Sequence, residues 1–283
     1  MHTTYANIIK SLVPTRDKTI AADELPTHIY CVPNFMIDED NLNDYRKVCG
    51  FIKDGRVPAT YFAVVSQTLQ MNMMAKPDFP FAMLGLVHLF NSVTQYRSIY
   101  DSEEVQLSVR LGNLRAHSKG QQFDFITEVK IEDVLVWQGV STYLSRQKRP
   151  KEDKVEKETT LAPTTPCDDS FIKMFEVPED IGRRYAFVSG DFNLIHLHPL
   201  SARAFGFPRA IAHGMWTKAM IVSSLVQHAP LPERYRMEVT FKSPVFLPSA
   251  VKLVANHHQQ GYDIALYDDK GDKVHVVGEL VAV

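Results

Sequence analysis

From Arg146 to Asp169 the chain reads RQKRPKEDKVEKETTLAPTTPCDD, and nothing else in its 283 residues limits the fold so strongly. The stretch is charged first and then rich in Thr and Pro. It has little apolar side chain to bury, so it predicts a linker rather than a packed element. It leaves two parts of similar length, and a chain of this size is expected to hold two domains. The boundaries expected from this are 1–146, a linker over 147–169, and 170–283.

The two parts share a pattern. FPFAMLGLVHLFNSV runs from Phe79 to Val93, and FPRAIAHGMWTKAMIVSSL from Phe207 to Leu225. Each opens on Phe-Pro, carries a glycine soon after, and continues as an apolar run. Proline is tolerated in a first helical turn, and a run apolar nearly all round predicts a buried helix. The second helix is expected to begin near Ile211, with His213, Gly214 and Met215 in its first turn. Strand-like alternation follows in VQLSVRLGNL, QFDFITEVKIED and VLVWQGVSTYLS, then in RYRMEVTFKSPVF, AVKLVANHHQ, YDIALYDD and KVHVVGELVAV. Asp268 to Gly271, DDKG, signals a hairpin turn. Each half therefore reads as one long buried helix wrapped by an antiparallel sheet, an α+β layering produced by duplication.

Composition excludes some functions. The net charge of −2 lacks the basic field of a nucleic-acid binder or membrane-surface protein. The basic cluster at Arg146 to Lys154 is interleaved with acids and reads as solvated. Three cysteines, Cys31, Cys49 and Cys167, show no paired spacing, which fits a reducing compartment better than a disulfide framework. MHTTYANIIKSLVPTRDK has neither the apolar core nor the cleavage site of a secretory signal. The apolar region from Ile211 to Val226 is interrupted by His213 and Lys218 and is too short to span a bilayer. A cytoplasmic protein is expected.

The chemistry concentrates between Tyr185 and His213. In SGDFNLIHLHPL, Gly190 permits a tight turn before Asp191, and Asn193 and His196 follow. An aspartate and an imidazole on one loop can hold a water between them, the acid accepting a proton and the ring orienting or protonating. Asn193 can fix their geometry. Gly214 stands where a helix N-terminus leaves a bare N–H, and a glycine there suits close approach either by a packed backbone or by a ligand oxygen such as a thioester carbonyl gaining charge. Taken singly, these residues have structural readings. Asp191 and Asn193 suit turn bonds or a helix cap, His196 suits a satisfied core position, and His198, His213 and His88 read as supporting. Arg203, Arg209 and Lys218 near the motif read as solvated surface. His196-x-His198 is a weak metal pair with no third ligand evident in the sequence.

YAFVSGDFNLIH, FGF and IAHGM resemble the hydratase-2 signature of MaoC-like dehydratases, Y-x-x-x-S-G-D-x-N-P-[IL]-H followed by G-F and A-H-G-M. The core motif covers about a tenth of the chain, and the two-half layout extends the likeness over most of it. The resemblance implies two fused hot-dog domains and reversible syn addition of water to trans-2-enoyl thioesters, giving (R)-3-hydroxyacyl thioesters. It makes Asp191 and His196 the catalytic pair, Asn193 the orienting amide and Gly214 the oxygen-binding N–H. It implies no metal or redox cofactor, with coenzyme A or an acyl carrier protein as part of the substrate. Leu194 replaces the family's usual proline. The first half lacks the motif and is expected to be degenerate, widening the acyl pocket, while the second is catalytic. A thioesterase and a non-catalytic acyl-thioester binding module of the same fold remain alternatives, and a homodimer is compatible with the reading.

Overall fold

The structure is a computed structural model that describes residues 19–83, 85–147 and 161–283. The stretch inspected for a secretory signal and most of the charged linker lie outside the described residues. In chain order the elements are β1 (Ile29–Met36), α1 (Glu39–Cys49), α2 (Tyr61–Met74), β2 (Val87–Gln95), β3 (Glu104–His117), β4 (Gly120–Ile131) and β5 (Val134–Arg146). There follow β6 (Phe171–Val177), α3 (Ile181–Ser189), α4 (Leu194–Leu197), α5 (Pro199–Ala204), α6 (Gly214–His228), β7 (Tyr235–Phe241), β8 (Ser249–His258), β9 (Gly261–Asp268) and β10 (Val274–Ala282).

The strands form one ten-stranded sheet in the order β1-β3-β4-β5-β2-β7-β10-β9-β8-β6. Counted inward from either edge, both sets of five follow the same order, so the duplication is visible in the topology. β2 and β7 join the sets, antiparallel from Phe90 opposite Thr240 to Gln95 opposite Tyr235. One core cluster runs through this seam and holds Phe62 and Trp137 with Tyr185, Ile221, Val239 and Leu280. The β9–β10 hairpin turns where DDKG signals it, with Gly271 at φ 82° and the Asp268 carboxylate accepting from the Asp272 and Lys273 amides.

The helix expected over Phe79 to Val93 is not there. Gly85 has φ 96°, which ends helical backbone, and residues 87–95 are the seam strand. No residue of β2 is exposed, and a strand covered on both faces carries the same continuous apolar run as a buried helix. The helix of the first set is α2, bounded by Pro58 and Pro77. Its Ser66, Gln67, Gln70 and Asn72 interrupt the apolar pattern and disguise it. In the second set α6 starts at Gly214 rather than near Ile211, and His213 is its N-cap residue. Residues 210–212 run extended instead, with the Ala212 amide donating to Val245 (2.9 Å) and the Leu247 amide to Ala210 (2.8 Å).

Lys218 also departs from expectation. It is 0% exposed on α6, and its Nζ donates to the Asn91 side-chain oxygen (2.6 Å), the Asn91 carbonyl (3.2 Å) and the Met237 carbonyl (2.9 Å). Asn91 lies on β2 and Met237 on β7, so this one ammonium ties the buried helix to both sides of the seam. A helix apolar all round has no wet face to give a lysine, so the charge must be satisfied inside. No helix of the described residues is long and apolar enough to cross a membrane.

Candidate active site

Gly190, at φ 73°, closes α3 in the left-handed conformation and directs the chain away from the helix axis. The next residues form a tight, self-bonded loop. The Asp191 carboxylate accepts from the Asn193 amide (3.2 Å), and the Asn193 side-chain oxygen accepts from the Ile195 amide (3.4 Å), capping α4. The structural readings of these two residues are therefore correct as far as they go. The same bonds hold the loop that aims the acid, so Asn193 acts on the loop. Leu194 and Phe192 point outward, 51% and 49% exposed.

His196, on α4, turns inward and is buried. Its Nδ1 lies 2.8 Å from the Ile211 carbonyl, and the Ile211 amide donates back to Ile195 (3.1 Å). A carbonyl can only accept, so Nδ1 carries the proton and Nε2 presents a lone pair. α3 packs against the opposite side of this turn through Gly182, where any Cβ would run into the His196 carbonyl oxygen. Neither glycine nor turn can shift without moving the imidazole, and Gly182 was not singled out in the sequence.

His213 completes the group. Its Nε2 donates to the Asp191 carbonyl (3.0 Å), and its ring stacks on that of His196 with centroids 3.7 Å apart. Tyr185 packs on its other side at 5.0 Å. One donor atom each from Asp191, His196 and His213 falls within 4.8 Å of the other two, close enough for the three to share one water or a small cation. His198, the second member of the weak metal pair, is instead exposed and caps α5 by accepting from the Leu200 amide (3.1 Å). Gly214 opens α6 directly after His213, and no side chain caps that helix end. A Cβ at Gly214 would stand 2.9 Å from the Phe241 ring. Close packing explains the glycine, and the N–H groups of this helix end carry no side-chain cap.

Residues 146–274 match the family described as MaoC like domain. The 3-hydroxyacyl-thioester dehydratase X of Mycobacterium tuberculosis is 33% identical over 260 residues, 92% of this chain and 91% of that protein. The chain belongs to the MaoC-like dehydratase family. A crystal structure of HtdX from the same bacterium superimposes with a TM-score of 0.77 at 30% identity, covering 90% of this chain and 100% of that one. A MaoC-like dehydratase of Phytophthora capsici shares the fold at 18% identity, with a TM-score of 0.74 over 93% of this chain and 98% of its own.

Burial sets the protonation of the histidines in this MaoC-like dehydratase. It pushes His196 below its ordinary value, against the pull of Asp191 and the Ile211 carbonyl. Burial, and then His196, hold His213 well below it. Burial and Lys218 bring His88, on β2, down to about 4. All three rings are neutral in the folded protein at neutral pH, while the unfolded chain protonates them below about 6.5. The unfolded state then binds more protons, so stability is full above pH 6.5 and is lost as the pH falls towards the folded values. Each such ring removes about 1.4 kcal/mol per pH unit across its window. Melting temperature should be flat from pH 8 to 7 and fall steeply between 6.5 and 4. A flat profile down to pH 5 would show that these rings are not held neutral.

Proposed function

We propose that this chain catalyses the reversible hydration of trans-2-enoyl thioesters to (R)-3-hydroxyacyl thioesters, running in reverse as a 3-hydroxyacyl-thioester dehydratase. The observation that carries this reading is the convergence of the Asp191 carboxylate and the His196 imidazole beside the uncapped start of α6. The relatives named as dehydratases support it.

In hydration, Asp191 and the bare Nε2 of His196 each accept one hydrogen of a single water. Its oxygen bonds to C3 while one proton passes to the pair. The electrons of the C2–C3 double bond move to the thioester oxygen, where the Gly214 N–H meets the charge. Collapse of that charge returns an electron pair to C2, which takes the proton back from the pair. Hydroxyl and hydrogen arrive from the one face on which Asp191 and His196 lie, so the addition is syn. Coenzyme A or an acyl carrier protein enters as part of the substrate, and the chain's own residues supply the proton transfers without a metal or redox cofactor. In the same reading, residues 170–283 form the catalytic hot-dog domain, residues 1–146 form a degenerate one, and 147–169 link them.

The test follows crotonyl-CoA by the absorbance of its conjugated thioester together with a free-thiol reagent. Loss of absorbance without thiol release, with the (R) product on chiral analysis, is the expected result. Thiol release at the same rate would replace the reading with thioester hydrolysis.

A further inference from the structure

One helix, α3, touches every member of the catalytic group. Its Gly182 packs so closely on the His196 carbonyl that no Cβ fits between them. Tyr185 sets its ring beside that of His213, with centroids 5.0 Å apart. The hydroxyl oxygen of Ser189, the last residue of the helix, accepts from the Asp191 amide (3.2 Å). A tilt of α3 would thus disturb the acid and both imidazoles together.

What seats α3 comes from the half of the chain that lacks the motif. Asn41, in the first turn of α1, donates from Nδ2 to the Val188 carbonyl (3.1 Å), and its Oδ1 accepts from the Tyr61 hydroxyl (2.8 Å). The Val188 carbonyl is among the last of α3, which the helix cannot pair for itself, and Val188 is buried. Asn41 caps that helix end from across the molecule. A carbonyl only accepts, so Nδ2 must face Val188, and the Tyr61 hydroxyl holds the amide that way round. Both ends of this bridge are fixed. The Asn41 amide donates to the Asp38 cap of α1 (3.0 Å), and Tyr61 opens α2 and is 0% exposed. The Tyr45 ring supports them, 5.2 Å from that of Tyr61 and 6.5 Å from that of Tyr185, with its hydroxyl donating to Thr60 (2.7 Å).

We propose that Asn41 is a positioning residue for the reaction: held by Tyr61, it fixes the last turn of α3 and, through Ser189, the place of Asp191 relative to His196. The first half then contributes to turnover although it touches no reacting atom. Rate falls steeply with small errors in the placement of a proton-transfer group, so a single buried bond to the supporting helix is enough to matter. The proposal rests on the hydratase reading, and the experiment keeps the two apart.

The measurement is kcat and KM for hydration of crotonyl-CoA, each variant being checked for native melting. Asn41→Leu keeps the size of the side chain and loses both bonds. Its kcat should fall by about ten- to a hundredfold, with KM unchanged, because the lost alignment is needed only in the transition state. Tyr61→Phe keeps the ring and frees the amide, and should show a smaller fall of the same kind. The double variant should be no slower than Asn41→Leu, since both changes cut one bridge. Gln227→Ala is the control. Gln227 Nε2 donates to the Gly50 carbonyl (2.7 Å), tying α6 to the end of α1 with no bond to α3, so its kcat should stay native. If the native chain does not hydrate crotonyl-CoA, the hydratase reading fails. If it does, and Asn41→Leu keeps native kcat, or the two losses add in the double variant, or Gln227→Ala loses as much as Asn41→Leu, the role of Asn41 is overturned alone. Should Asn41→Leu not fold, Tyr61→Phe decides, and native kcat there overturns the role.

Discussion

Asp191→Asn should lower kcat for hydration of crotonyl-CoA by about a thousandfold, the usual range for loss of a positioned proton acceptor. The substitution is close to isosteric. An asparagine oxygen still accepts from the Asn193 amide, as Asp191 does at 3.2 Å, so the loop keeps its shape. The His213 bond to residue 191 goes to the main-chain carbonyl and survives as well. What disappears is the capacity to take a proton from water. The melting temperature at pH 7.5 should move little. Because Asp191 and His196 act on one water, His196→Gln should cost a similar factor, and the double variant little more than either alone. Residual activity of Asp191→Asn within tenfold of the native chain, on a sample with native melting, would remove the carboxylate from the reaction.

Lys218→Met should lower stability by about 3 kcal/mol, since deletion of one member of a buried polar cluster strands the others. Methionine fits the volume and suits the helix, so the loss comes from the acceptors left behind. These are the Asn91 side-chain oxygen and the carbonyls of Asn91 and Met237. In a chain of this size that corresponds to a drop of roughly 6–12 °C in melting temperature. Unchanged melting would mean that those oxygens find other donors and that the ammonium is dispensable at the seam.

Local chemistry explains which features could be read in advance. Asp191, Asn193 and His196 lie within six consecutive residues, and the bonds that shape the Asp191–Asn193 loop run between near neighbours, so spacing carries that part of the geometry, while the His196 ring is oriented by the Ile211 carbonyl fifteen residues on. Gly182 reaches the same site through tertiary packing that nothing in its immediate surroundings announces, whereas His213 lies in the IAHGM segment and reads only as supporting, because its bond to Asp191 spans 22 residues. The first eight residues of β3 and most of β7 alternate between buried and more open positions, which period-two patterning detects. β2 has no exposed residue and lacks that alternation, so it resembled a helix. The polar positions of α2 are drawn out of water, where Ser66 and Gln70 bond to each other. Lys218 was misplaced although the signal existed, because a helix with no polar face cannot hold a solvated lysine.

The junction of β2 with β7 has one more consequence. Six residue pairs bridge the middle of the sheet within a single polypeptide, from Phe90–Thr240 to Gln95–Tyr235. Two separate chains meeting along such an edge would fall apart on dilution, and a site built from both would vanish with them. Here the tether makes that encounter intramolecular, so the pairing holds at any protein concentration. Residues on either side of the junction can then diverge independently, because no symmetry obliges a change in one to be repeated in the other.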